Sequence, residues 1–346
     1  MPASYISRPA IELPTHKITT EEIYDNIRTR HPDHPRLRAI ERVVQATTVR
    51  NRHFTRPLDS PLVSGTAPLK ERVKAAFSDA LAMATDAAQK ALDTAGLHPA
   101  DIDAVITSHT TSWGVPHMDV QLVNALGLKP DVRHLSMTTL ACAGGAQSLI
   151  RASEFVAARP GSRVLVVVTE VISSVYNHQD TGIESMIYKA LFGDSAGACI
   201  VTDTPLGPGL RIDDTWEYIL PGSMDRYSGR LDHDGLHFDS TREALNAADD
   251  VLPPLLDWLG SWRPDIPVIH PGGPRIIEDV ARGLDLPDTA ARHSWNSLAE
   301  NGNLGGVAVL DVLRRTHEDP PTDGNALLIA FGPGFAASGC RGTWSS

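Results

Sequence analysis

The chain has 346 residues, of which 42% are hydrophobic and 21% charged, and its formal net charge is -11. That composition is ordinary for a globular protein, and the length allows two domains or one large two-halved unit with a substantial core. The negative balance argues against nucleic acid or an anionic membrane as the main partner, while leaving room for a local basic patch facing a phosphorylated ligand.

Residues 1–68 are interrupted by prolines, and a short basic helix is expected over Arg36–Val49. From Leu69 the pattern sharpens. Val73, Ala76, Phe77, Ala80, Ala84, Ala87, Ala88, Ala91 and Leu92 recur at spacings of three and four, which predicts a long amphipathic helix ending near Gly96. Short apolar runs at Ala104–Ile106, Val164–Val168, Ala198–Val201, Val268–Ile269 and Ala326–Ala330 read as strands covered on both faces. Helices are expected between them at Ala146–Ala158, Ala244–Leu259, Ile276–Leu284 and Val307–Arg315. The Gly- and Asp-rich stretch from Leu206 to Asp239 suggests antiparallel strands and loops. The expectation is a layered α/β protein of two halves, 1–203 and 204–346. Each half has an apolar strand beside a small-residue segment, Gly193–Gly197 in the first and Gly332–Gly334 in the second.

Three cysteines make no disulfide framework and fit a reducing compartment. With no signal-peptide pattern and no apolar run of the roughly 18 residues a spanning helix needs, a cytoplasmic location is expected. Cys199, inside Ala198–Val201, reads as core, and Cys340 has no base nearby in sequence. Cys142 differs. It lies in Thr139-Leu140-Ala141-Cys142-Ala143-Gly144-Gly145, directly before a helical run. A helix N-terminus favours thiolate, and small neighbours would let an acyl group reach the sulfur. A buried structural cysteine is the plainer alternative.

His270 ends an apolar run and enters Pro271-Gly272-Gly273-Pro274, where it is placed to face a cleft, pair with a thiolate and donate to an oxyanion. A loop histidine capping backbone is the alternative. Asn303, between Gly302 and Leu304-Gly305-Gly306, offers an amide donor where the backbone is uncrowded, although an Asn-Gly loop is often only a turn. Asp232-His233-Asp234 with His237 can be drawn as a metal cluster, but the spacing matches no strong ligand signature, and no metal is expected.

Five segments together resemble the type III polyketide synthases, the chalcone-synthase-like branch of the thiolase superfamily. They are Leu140–Gly145, Ala190-Leu191-Phe192-Gly193-Asp194, Ile269–Pro274, Glu300-Asn301-Gly302-Asn303 and Phe331-Gly332-Pro333-Gly334, in the family's order. The likeness runs from about Arg8 to Trp344. It implies an αβαβα thiolase fold of two duplicated halves, a homodimer, and a triad of Cys142, His270 and Asn303. It also implies malonyl-CoA and an acyl-CoA starter as substrates, with no cofactor. Phe238 matches a gatekeeper between CoA tunnel and cavity, and Arg42 a cation at the tunnel mouth. Thr110, Val115, Ile172, Val175, Gly229 and Gly305 match cavity-shaping positions, and Gly332, Pro333 and Gly334 a loop near the site. Three departures stand out. The second gatekeeper phenylalanine maps to Leu210 or Arg211, a second tunnel cation to Ala46, and the first glycine of the loop to Ala330. A ketoacyl synthase III-like enzyme, an acyltransferase passing its acyl group to a small acceptor, and a catalytically dead interaction protein are the competing readings.

Overall fold

The structure is a computed structural model that describes residues 2–345 apart from 288 and 321. Its frame is a ten-stranded sheet. From one edge the strands run Ile266–Ile269, Gly324–Gly332, Ala336–Ser345, Gly209–Ile219, Ser4–Ile6, Ser195–Thr202, Val164–Glu170, Ala104–His109 and Arg133–Thr138, with Ala10–Glu12 paired beside Ser195–Thr202. Ser4–Ile6 bridges the two halves, pairing with Ser195–Thr202 on one side and Gly209–Ile219 on the other.

Continuous apolar strands need cover on both faces, and here alternate residues find different partners. Val164, Val166 and Val168 join the core built by the helices Gly144–Ala158 and Ala308–Glu318, while Leu165 and Val167 turn to the helix Leu69–Ala95. In the second half Val268 and Leu328 face the same central helices. Ile269, Leu327 and Ile329 face the helices Ala247–Leu259 and Pro274–Gly283. The two halves of the sheet therefore enclose the central helices and carry outer helices on their far faces, giving five layers: helix, half-sheet, helix, half-sheet and helix.

Most expected elements are present. The long helix stops at Gly96, whose φ of 66° takes the left-handed conformation that favours glycine. The early basic helix is shorter than expected, Leu37–Ala46. Two unanticipated strands explain themselves. Arg133–Thr138 is an edge strand with mostly exposed side chains, and Ala336–Ser345 is built from small residues, so neither carries an apolar run. Among the described residues, no helix is long and apolar enough to cross a membrane.

Candidate active site

The two central helices meet where the site forms. Cys142 sits in a 3-10 turn, Ala141–Ala143, immediately before the helix Gly144–Ala158. The turn is entered through two left-handed non-glycine residues, Thr139 (φ 63°) and Ala141 (φ 44°). Such conformations cost about 1–3 kcal/mol each and need fixing from outside. Here Thr110 Oγ1 accepts from the Ala141 N–H at 2.8 Å. Gly144 and Gly145 serve packing rather than substrate access. A Cβ on Gly144 would lie 2.4 Å from Ser108 Oγ, and one on Gly145 2.1 Å from the Gly306 carbonyl oxygen.

His270 follows the strand Ile266–Ile269 and is anchored by its backbone N–H to the Ile329 carbonyl at 2.9 Å. Asn303 is held at both ends, its N–H donating to Leu191 O at 2.8 Å and its carbonyl accepting from Gly193 N–H at 3.1 Å. The Gly305 N–H donates to Asn303 Oδ1 at 2.9 Å, which turns the amide nitrogen towards Gly272 O at 3.3 Å and Cys142 Sγ at 3.6 Å. Cys142, His270 and Asn303 share the wall of one cavity of about 60 Å³ with Tyr227, Phe331 and Phe335.

The electrostatics differ from the expectation of a helix-activated thiolate. Burial pushes the Cys142 thiol up to about 12, and the Asn303 hydrogen bond offsets only part of that. Burial likewise pushes His270 down to about 3, and its Nδ1 is buried with no hydrogen-bond partner. Losing water outweighs the helix dipole at so enclosed a position. Burial thus disfavours a thiolate at Cys142 and an imidazolium at His270.

On its other side Cys142 faces a small cavity of about 20 Å³ whose wall includes Thr110, Ile172, Phe192, Phe238 and Gly305. Glu170 lines it too. Burial raises this carboxyl to about 6, while Thr111 Oγ1 (2.7 Å) and the Thr110 and Thr111 N–H groups donate to it. Val175 belongs to a larger adjoining chamber. Gly229 pairs with Phe238 across a hairpin, where a Cβ would stand 3.5 Å from the Phe238 ring. Gly332 and Pro333 line the Cys142–His270 cavity, while Gly334 is not on its wall; its carbonyl accepts from Ser223 Oγ at 2.8 Å.

Three expectations fail in this chain. Leu210 is fully buried in the sheet core with Trp344, and Arg211 pairs with Asp213 at 2.8 Å on the same strand, so neither reaches the cavity. A phenylalanine other than Phe238 does line the small cavity, namely Phe192. Its segment Leu191-Phe192-Gly193-Asp194 was the available signal. Val115 is off the cavity and exposed. Arg42 lies exposed on the helix Leu37–Ala46. Cys199 is a buried core residue as expected, and Cys340 is buried in the same core. Asp232, His233 and Asp234 lie close together, but on an exposed turn. Sequence reasoning also missed Glu170 and Tyr227. Glu170 announces itself as a charge ending an apolar strand, whereas Tyr227 carries no such mark.

The comparisons with known proteins agree with this geometry. The model of the chalcone and stilbene synthase N-terminal domain matches residues 10–205, and that of the C-terminal domain residues 211–340. The 1,3,6,8-tetrahydroxynaphthalene synthase of Streptomyces griseus is 31% identical over 98% of this chain and 92% of its own length. The phloroglucinol synthase of Pseudomonas fluorescens is 32% identical over 99% of this chain and 100% of its own. Among solved structures, the tetrahydroxynaphthalene synthase of Streptomyces coelicolor superposes with a TM-score of 0.94 at 31% identity, covering 99% of each chain. The germicidin synthase of Streptomyces coelicolor gives 0.93 at 32% identity, covering 100% of each. The chain therefore belongs to the chalcone and stilbene synthase family, the type III polyketide synthases, and is an acyl-transferring enzyme of the thiolase-like fold.

Proposed function

We propose that Cys142, His270 and Asn303 carry the chemistry, with malonyl-CoA as extender and malonyl-CoA or another acyl-CoA as starter. His270 takes the Cys142 proton as sulfur attacks the starter thioester and CoA leaves. His270 and the Asn303 amide then donate to the thioester oxygen of malonyl-CoA, stabilising the enolate formed as carbon dioxide departs. The enolate carbon attacks the acyl-Cys142 carbonyl and displaces the sulfur. Repetition builds a poly-β-keto chain that cyclises to an aromatic or pyrone product. The observation that carries this reading is the Asn303 amide nitrogen 3.6 Å from Cys142 Sγ in the cavity that His270 also lines. The names of the relatives, tetrahydroxynaphthalene and phloroglucinol synthases, favour a polyhydroxylated aromatic.

We read the chain as two halves meeting at residues 203 and 204, Arg42 as a CoA contact, and the protein as a cytoplasmic homodimer. The exposed apolar side chains of Trp113, Val115 and Leu135 on and beside the edge strand Arg133–Thr138 support a second copy there. The unpaired cysteines support a reducing compartment. The test is incubation with labelled malonyl-CoA, alone and with a panel of acyl-CoA starters, read by mass spectrometry. Poly-β-keto products that vanish in Cys142→Ala are expected. An acyl-Cys142 adduct with no carbon dioxide release or chain growth would instead mark a simple acyltransferase.

A further inference from the structure

The space beside Cys142 is too small for a growing chain, yet a chamber of about 240 Å³ adjoins it. Ile172, Phe192 and Phe238 line both spaces and so form the partition between them. The wall of the chamber also carries Tyr176, Tyr188 and Lys189.

Lys189 is the unusual member. It is only 6% exposed. An ammonium has three donors, and a buried one left without acceptors is costly. The hydrogen bond it makes runs to the Asp180 carbonyl at 3.3 Å, and its Nζ lies 4.9 Å from the centre of the Tyr176 ring. Among the described residues no carboxylate forms an ion pair with it. The other cations of the wall are already engaged: Arg230 with Asp232 and Asp239, and His237 with Asp232 at 3.1 Å. Of the wall carboxylates, Asp239 is held by Arg230, and Asp180 Oδ1 accepts from the Gly182 N–H. Glu184 is exposed. Burial lowers the Lys189 pKa to about 8 while Asp180 pulls it back up, so the side chain is still an ammonium at neutral pH.

A poly-β-keto chain supplies the matching chemistry. Its 1,3-dicarbonyl units present closely spaced oxygens and enolise readily, and an enolate oxygen accepts a charge-assisted hydrogen bond from an ammonium. We propose that the chain grows through the partition into this chamber and that Lys189 holds a keto or enolate oxygen of a 1,3-dicarbonyl unit there. Lys189 is thereby a specificity-determining residue for chain length. The aromatic walls flank the chain, and the ammonium fixes how far it advances before cyclising. This rests on the polyketide-forming reading given above.

The experiment compares wild type with Lys189→Met and Lys189→Arg on labelled malonyl-CoA with and without acyl-CoA starters, reading carbon dioxide and the full product spectrum together. The expected result for Lys189→Met is at least a tenfold fall in the longest product per carbon dioxide released, with shorter pyrones in its place. Lys189→Arg, which keeps the charge, restores part of the ratio. The same product ratio in Lys189→Met and wild type overturns the inference while leaving the polyketide reading intact. A wild-type protein that releases no carbon dioxide and extends no chain overturns that reading itself. Should Lys189→Met fail to fold, the wild type is treated with a water-soluble acetylating reagent with and without 2,4-pentanedione, followed by peptide mapping. Slower acetylation of Lys189 in the presence of the diketone is expected, and an unchanged rate overturns the inference.

Discussion

The amide nitrogen of Asn303 stands 3.6 Å from the sulfur of Cys142, and the Gly305 N–H fixes that orientation by donating to the amide oxygen. The donor is thus set before any substrate arrives. Asn303→Ala should lower malonyl-CoA decarboxylation by about 100-fold to 1,000-fold, the usual loss for one oxyanion donor. Asn303→Asp keeps an acceptor for Gly305 but no amide donor, so it should be equally impaired. Near-normal carbon dioxide release from Asn303→Asp would show that the residue merely shapes the turn.

Burial, only partly offset by the Asn303 hydrogen bond, leaves the Cys142 thiol near 12, so its reactivity depends on a base. In His270→Ala, alkylation of Cys142 by iodoacetamide at pH 7 should be at least tenfold slower than in wild type. It should then climb about tenfold per pH unit, as expected for a thiol well below its pKa. Equal rates in the two proteins would remove His270 from the role of proton acceptor.

Close approach of the central helices makes Gly145 intolerant of a side chain. A Cβ there meets the Gly306 carbonyl oxygen at 2.1 Å, and backbone cannot move aside. Gly145→Ala should cost about 3 kcal/mol, the upper range for overpacking. Gly96→Ala is the control, because Gly96 has a φ of +66° but no atom within 4 Å of an added Cβ, so only the conformational cost of about 1 kcal/mol applies. Urea unfolding of the two variants ranks them, and a reversed order would defeat the packing argument.

Acid should destabilise the fold. Burial pushes His109, His178 and His317 down to about 4 and His270 to about 3. The unfolded chain therefore binds more protons than the folded one from about pH 6.5 down to about 4, and the stability these groups give is lost as pH falls. Glu170 and Asp194, raised to about 6, work the other way between about pH 6 and 4.5, since the folded state holds their protons. His293 is lowered by burial as well, so the histidines outnumber the two carboxyls and a net loss of stability is expected in that window. Urea unfolding from pH 6.5 to 4.5 measures it, and a flat or rising stability on acidification would reverse the assignment.

Much was legible in the chain. Periodicity gave the helix Leu69–Ala95 nearly to the residue, and continuous apolar runs gave the inner strands, because both signals are local consequences of burying one or both faces. The glycine-flanked Cys142, His270 and Asn303 were visible for a related reason: tight turns and close backbone contacts leave small residues in the sequence. Tertiary structure alone decided the rest. The edge strand Arg133–Thr138 has no buried face to mark it, and Leu210 lies in the core while Phe192 lines the cavity because neighbours along the chain do not reveal which way a side chain points. The ionisation of Cys142 turned on how little water reaches it, and the isolation of Lys189 on which carboxylates other residues had already taken. Burial and pairing are properties of the packed whole, so they emerge only when distant segments meet.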